Sequence, residues 1–211
     1  MAYDLEEQEQ LATIKAWWAQ YGKLVAVTAV AGVLIVGGIR GWHYYQSSQA
    51  AAAVVLFGQQ QVAERASDHK KVRAIASQII DHYGSTPYAA NAALSAAKSD
   101  FETGDLPAAR ARLQWVIDNA REEEARDIAR LRLARVLVDE KKTDEALRLL
   151  EAKHDAAFDG LYADLKGDVL LAQGNRQEAR AAYQLALDRS ESGSPLRQII
   201  QLKLDATGEA K

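Results

Sequence analysis

The sequence predicts an all-α chain: a single N-terminal transmembrane helix followed by an α-solenoid of short helix hairpins. Three observations carry that expectation. An uncharged run, LVAVTAVAGVLIVGGI, fills Leu24 to Ile39 between Lys23 and Arg40. Beyond about Gln46, no stretch alternates apolar and polar residues long enough to suggest a strand. Finally, Ala109, Ala146 and Ala179 recur in similar contexts, 37 and then 33 residues apart.

Composition sets outer limits. Of 211 residues, 48% are hydrophobic and 26% charged, the balance of a folded chain and not of a disordered one. There is no cysteine, which excludes disulfides, thiolate metal sites, a cysteine nucleophile and an acylated lipoprotein anchor. Lys and Arg number 26 against 29 Asp and Glu, for a formal charge of -3. No concentrated basic face announces a nucleic-acid partner.

The uncharged run has 16 residues. As a helix it measures about 24 Å, short of a hydrocarbon core of about 30 Å. Its flanks supply the rest. Trp17, Trp18 and Tyr21 precede it, and Trp42, Tyr44 and Tyr45 follow. Such side chains settle at the two water–lipid boundaries, and Lys23 and Arg40 snorkel outward along their own stems. Residues 21–45 are therefore expected to form the span. A buried core helix rarely carries aromatic belts at both ends. A cleaved signal peptide needs a basic start and a nearby small-residue exit. Here the start holds Asp4, Glu6, Glu7 and Glu9, and the exit reads RGWHYY.

Orientation follows Lys and Arg near the span. Lys15, Lys23 and the terminal amine lie before it; after it only Arg40 is close, and Arg65 comes next. This bias puts residues 1–20 in the cytoplasm and residues 46–211 on the outer face, the periplasm in a bacterium. In residues 1–20, Leu5, Leu11, Ile14 and Trp18 recur at mostly helical spacing. They predict a short helix, either solvated beside the membrane or docked on a partner. Gly37 and Gly41 form a small-xxx-small pair that suits close helix approach, although glycine is common in membrane helices anyway.

From residue 46 onward, glycines and capping residues punctuate helices. Gly84-Ser85-Thr86-Pro87 ends one helix and opens another, with Thr86 as cap and Pro87 in the first turn. Gly104-Asp105 and Gly174-Asn175 act alike, and Asn175 and Glu178 have capping-box spacing. Ser194-Pro195 opens the last helix and Gly208 closes it. Twelve residues before each recurring alanine stands a small residue: Ala97, Ala134 or Gly167. Four after it stands a larger apolar one: Leu113, Leu150 or Tyr183. The small residue lets a second, antiparallel helix approach, and the large one fills the space beside it.

This pattern resembles the tetratricopeptide repeat, whose period is about 34 residues. Gly167, Gly174, Ala179, Tyr183 and Ala186 fall on its signature positions. The first copy lacks the signature tryptophan, and the second has Lys141 in place of the turn glycine. A degenerate unit from Ala53 to Tyr83 precedes them, and the helix from Pro195 to Thr207 is expected to cap the stack. A four-helix bundle is the competing architecture. The opening YDLEEQEQLATIKAWWAQYGK, the GWHYYQ exit, the YGSTPYA turn and the closing SPLRQIIQLKLDATG together resemble the bacterial YfgM family over essentially the whole chain. That resemblance implies an ancillary subunit of the SecYEG translocon, anchored in the bacterial inner membrane by a single pass through the lipid bilayer. It further implies association with the membrane-anchored periplasmic chaperone PpiD, contact with client proteins, and a link to envelope-stress regulation.

No GxSxG, HExxH or P-loop occurs, so no enzyme and no cofactor is expected. His43, His69, His82 and His154 do not pair at metal-ligand spacing. The run Glu122-Glu123-Glu124 reads as an acidic helix start. Two readings remain: a membrane-tethered protein-binding module, and a scaffold that sequesters a soluble regulator. In tetratricopeptide arrays the first helix of each pair lines the concave face. By resemblance, its partner-binding positions fall on Lys98, Phe101, Arg135, Val138, Asp168 and Leu171. Phe101, Val138 and Leu171 also suit a core, and Arg135 with Asp168 also suits a solvated pair.

Overall fold

The structure, a computed structural model, describes residues 2–191 and 193–208, with side chains from Leu11 onward. The side chains of Leu5 and of the acidic first turns lie outside the described residues. Among the described residues every regular element is helical. The first helix, α1, covers Ala2–Arg65. The chain divides between Ser48 and Gln49 into two compact units.

In the first unit no break separates residues 2–20 from the apolar run, and no proline interrupts the helix. The expected short separate helix is thus the beginning of α1. Its apolar residues are not a core: Val33 is 73% and Leu34 70% exposed. This is the one helix, among the described residues, long and apolar enough to cross a membrane. Aromatic rings cluster at each end of the run. Trp17 and Tyr21 have centroids 5.7 Å apart, and Trp42 and Tyr45 6.2 Å apart. Trp18 lies against Gly22, where a side chain would meet its indole ring. Around Gly37 and Gly41, a Cβ would meet open space.

The second unit begins with the end of α1 and continues through eight helices: α2 (His69–Tyr83), α3 (Pro87–Glu102), α4 (Leu106–Asn119), α5 (Glu123–Asp139), α6 (Thr143–Leu150), α7 (Asp159–Ala172), α8 (Arg176–Arg189) and α9 (Pro195–Ala206). A 3-10 turn, Ala156–Phe158, leads into α7. From α2 onward each helix packs on its neighbour in sequence, and α3 packs on α5, and α5 on α7, across the pairs; Ala63 near the end of α1 joins Val72, Ile75 and Ala76 of α2 in one apolar cluster. This is a ladder of hairpins with local contacts, an α-solenoid and not a bundle.

One turn design recurs in all four hairpins. The N–H groups of Ser67, Gly104, Lys141 and Gly174 donate to the carbonyls of Glu64, Phe101, Val138 and Leu171. The next N–H in each, from Asp68, Asp105, Lys142 and Asn175, reaches back to Ala63, Asp100, Leu137 and Leu170. These paired bonds close a helix on a residue in the left-handed region. Gly104 and Gly174 adopt it freely, at φ of 80° and 85°, and Lys141 is forced into it at 64°.

The shared turn fixes the register between repeats. Ala97, Ala134 and Gly167 are equivalent and buried, as are Leu113, Leu150 and Tyr183 sixteen residues later. The Tyr183 ring lies so close to Gly167 that any Cβ would collide with it. In the hairpin of α1 and α2 the order is inverted. Buried Gln60 stands at the small position and buried Ala76 at the large one.

Two expected caps are corrected. The Thr86 hydroxyl does not cap α3; it donates to the Tyr83 carbonyl at 2.8 Å, satisfying the end of α2. Asn175 makes no side-chain cap on α8, its amide being turned toward Gln173. Asp68, Asp105 and Ser194 do cap, accepting from Lys71, Ala108 and Leu196.

Two stability predictions follow from this packing. Gly167→Leu drives a branched side chain into Tyr183 and is expected to cost about 1–3 kcal/mol, the usual penalty of overpacking. Lys141→Gly relieves a left-handed lysine, at some cost in unfolded-state entropy, and is expected to raise stability by up to about 1 kcal/mol. Thermal melts of the detergent-solubilised protein followed by circular dichroism check both signs; an unchanged melt for Gly167→Leu contradicts the α7–α8 register.

Candidate functional site

The turn hydrogen bonds also place the residues expected on the concave face. Phe101, Val138 and Leu171 hold the same turn position in three successive hairpins. Their surroundings differ. Phe101 is 42% and Leu171 38% exposed, whereas Val138 is half-buried against the main core.

Lys98, Phe101 and Arg135 come together. With Ala97, Leu113 and Arg132 they line a groove of about 250 Å³ between α3 and α5. Buried Ala97 and Leu113 give it an apolar floor, Phe101 an aromatic wall, and three cations a basic rim. No repeat signature in the sequence points to Arg132. Its guanidinium donates to the Leu94 carbonyl at 3.2 Å, bridging two first helices. Partial desolvation and then the nearby charge of Arg135 lower its pKa from the ordinary guanidinium value.

Glu64 of α1 reaches the same rim. Its carboxylate accepts from the Ser95 hydroxyl at 2.8 Å and from Lys98 at 3.1 Å. The Ser95 hydrogen bond and, after it, Lys98 hold its pKa below the usual carboxylate value. Glu102 stands 3.9 Å from Lys98. Arg135, among the described residues, has no hydrogen-bonding or ion-pairing partner.

Asp168 and Leu171 lie outside this groove, on α7. Asp168 does not pair with Arg135. It accepts from the Tyr183 hydroxyl at 2.8 Å and from Lys203 of α9, also at 2.8 Å. Lys203 reaches across to bind buried Asp164 at 2.8 and 2.9 Å as well. Burial pushes the Asp164 carboxyl upward against the opposing pull of Lys203. Tyr183 is raised too, by burial first and then by its bond to Asp168. The acids at this end of the face are thus committed to the packing of α9.

Two further buried aspartates carry structure. Asp100 receives Arg112 at 2.7 Å and Arg73 at 3.5 Å. Asp127 accepts from Arg130 at 2.6 Å, from the Tyr162 hydroxyl at 3.2 Å and from the Asp155 amide at 3.0 Å. Burial, with Asp127 next to it, pushes Tyr162 up to about 12. His154 stacks on the Tyr162 ring with centroids 3.8 Å apart. It pairs with Asp159 at 3.3 Å and not with adjacent Asp155. No group of three or more His, Asp or Glu among the described residues is placed to hold a metal.

The residues expected at the membrane interface occupy both ends of the apolar run. Trp17, Trp18, Tyr21, Trp42, Tyr44 and Tyr45 are all exposed, as are Lys23 and Arg40. Their side chains are free to meet an interface instead of filling a protein core.

Comparison with known proteins agrees with this architecture. A family model described as a tetratricopeptide repeat-like domain matches residues 15–209. A protein of Neisseria gonorrhoeae is 33% identical over 98% of this chain and 99% of its own length. One from Haemophilus influenzae is 31% identical over 97% of this chain and 99% of its own. One from Escherichia coli K12 is 30% identical over 94% and 95% respectively. Each carries the name ancillary SecYEG translocon subunit. Near full-length similarity, the repeat packing and the unburied apolar helix together establish that the chain belongs to the family of ancillary SecYEG translocon subunits, the YfgM family.

Proposed function

We propose that this chain is a non-catalytic binding subunit of the SecYEG translocon, anchored in the bacterial inner membrane, that links translocated client proteins to the chaperone PpiD. The names of its relatives support the translocon association. The observation that carries the binding role is the groove of Lys98, Phe101, Arg132 and Arg135, an exposed aromatic beside cations that the fold does not fully neutralise. An aromatic anchor with an arginine at its edge is the composition of a binding hot spot. Tethering by one span confines that groove near membrane partners and raises their effective concentration.

Two experiments test this reading. Phe101→Ala and Arg135→Glu, each in the full-length protein, are expected to reduce co-purifying PpiD about fivefold or more, the scale of a hot-spot residue. Helical circular dichroism stays unchanged, because neither side chain is buried. Full recovery of PpiD with both folded variants places the interface elsewhere, and recovery of only a soluble regulator favours the sequestering scaffold.

Topology is the second. The natural chain has no cysteine, so Lys211→Cys gives a clean probe. In intact spheroplasts a membrane-impermeant thiol reagent is expected to label it, placing residues 46–211 in the periplasm and residues 1–20 in the cytoplasm. Labelling only after lysis reverses the orientation.

A further inference from the structure

We propose that the groove between α3 and α5 receives an acidic peptide segment, with an aliphatic or aromatic side chain against Phe101 and a carboxylate on Arg135. This rests on the groove being the partner-binding surface and adds the chemistry of what it binds.

The charges around the groove do not balance locally. Lys98, Arg132 and Arg135 line it. Of the acids that face them, Glu64 is bound to Ser95 and Lys98, and Glu102 stands beside Lys98. Asp164 and Asp168 on α7 are taken by Lys203. Asp164 attracts Arg135 through space without pairing with it, and burial first, then the like charge of Arg135, lower the pKa of Arg132. A carboxylate between the two guanidiniums relieves that repulsion, and a planar guanidinium matches a carboxylate with two parallel hydrogen bonds.

Glu64 shows the chemistry already at work within the chain. Its carboxylate is held on the rim by a hydroxyl and an ammonium group, as a peptide carboxylate is expected to be one helix further on. It also occupies Lys98 and so competes for one of the three cations. The size of the groove points the same way. About 250 Å³ lies below the range of about 300–1,000 Å³ typical of small-molecule pockets. It suits one or two side chains of an extended or helical segment laid across the first helices.

The test uses the full-length protein in phosphatidylcholine nanodiscs and the anisotropy of a short fluorescent peptide alternating glutamate and leucine. Controls replace every glutamate by glutamine or by lysine. The glutamate peptide is expected to bind about tenfold tighter than the glutamine peptide at low salt, with the advantage shrinking as salt screens it. Arg135→Gln abolishes that advantage. Phe101→Ala weakens both peptides alike. Glu64→Gln frees Lys98 and tightens the glutamate peptide by about threefold, provided its thermal melt matches the natural chain.

Equal binding of the glutamate and glutamine peptides overturns the proposal, as does an advantage that survives Arg135→Gln. Displacement of the peptide by phosphatidylglycerol vesicles, but not by phosphatidylcholine vesicles, also overturns it and assigns the site to lipid. Co-purification separates the two levels of the argument. If Phe101→Ala still sheds PpiD while the peptides bind equally, the groove stands and only its acid preference falls. If Phe101→Ala leaves PpiD recovery unchanged and neither peptide binds, the groove reading itself falls.

Discussion

The array depends on a volume constraint between positions sixteen residues apart. In each hairpin the two helices come close where one contributes little and the other fills the gap. The pairs are Ala97 with Leu113, Ala134 with Leu150 and Gly167 with Tyr183, all buried. As the first member loses its last carbon, the second gains a ring. Gln60 and Ala76 obey the same sum with the roles exchanged. Interiors packed like organic crystals tolerate such exchanges only in compensated form. The exchange has a cost here. The Gln60 amide nitrogen donates to the Ala92 carbonyl at 2.9 Å, while its oxygen is buried without a partner among the described residues. An unsatisfied buried acceptor costs about 1–3 kcal/mol. The first hairpin is accordingly the least regular.

Stacking of one hairpin on the next uses a different chemistry. First helices meet through polar bridges: Gln60 to Ala92, Glu64 to Ser95, Arg132 to Leu94, Tyr162 to Asp127, and Lys203 to Asp164. These bridges join residues 31 to 39 apart in sequence, so each connects one repeat to the next and none spans the array. Stability in such a chain is a sum of neighbouring interfaces. Buried carboxylates are strongly penalised when a partner is lost. The bridges therefore fix the angle between successive hairpins more sharply than alanine-rich contacts do alone.

How much of this was legible in the sequence depends on whether the signal is periodic. The apolar run, its aromatic flanks, the small and large positions and the turn glycines all repeat or contrast, and are legible directly. Lys141 stands out in the sequence as the odd residue at a turn, and its positive φ is the physical cost of that substitution. Gln60 was missed because a glutamine at a small-residue position reads as surface. Asp100, Asp127 and Asp164 were missed for a related reason. They occupy different positions within their repeats, and their partners come from different helices. No spacing rule links Asp164 to Lys203. The basic groove was half legible: Lys98, Phe101 and Arg135 followed from the repeat resemblance. Arg132 and Glu64 emerged only once α1, α3 and α5 were placed side by side.

The reach of Lys203 has a bearing on biogenesis. Asp164 is synthesised 39 residues ahead of the lysine that neutralises it. A nascent chain that ends before α9 holds two carboxylates, Asp164 and Asp168, without the ammonium group that binds both, while Arg135 attracts Asp164 without pairing with it. The last helix thus closes the array chemically as well as sterically, because a chain cut short before α9 lacks the one lysine that bridges both carboxylates.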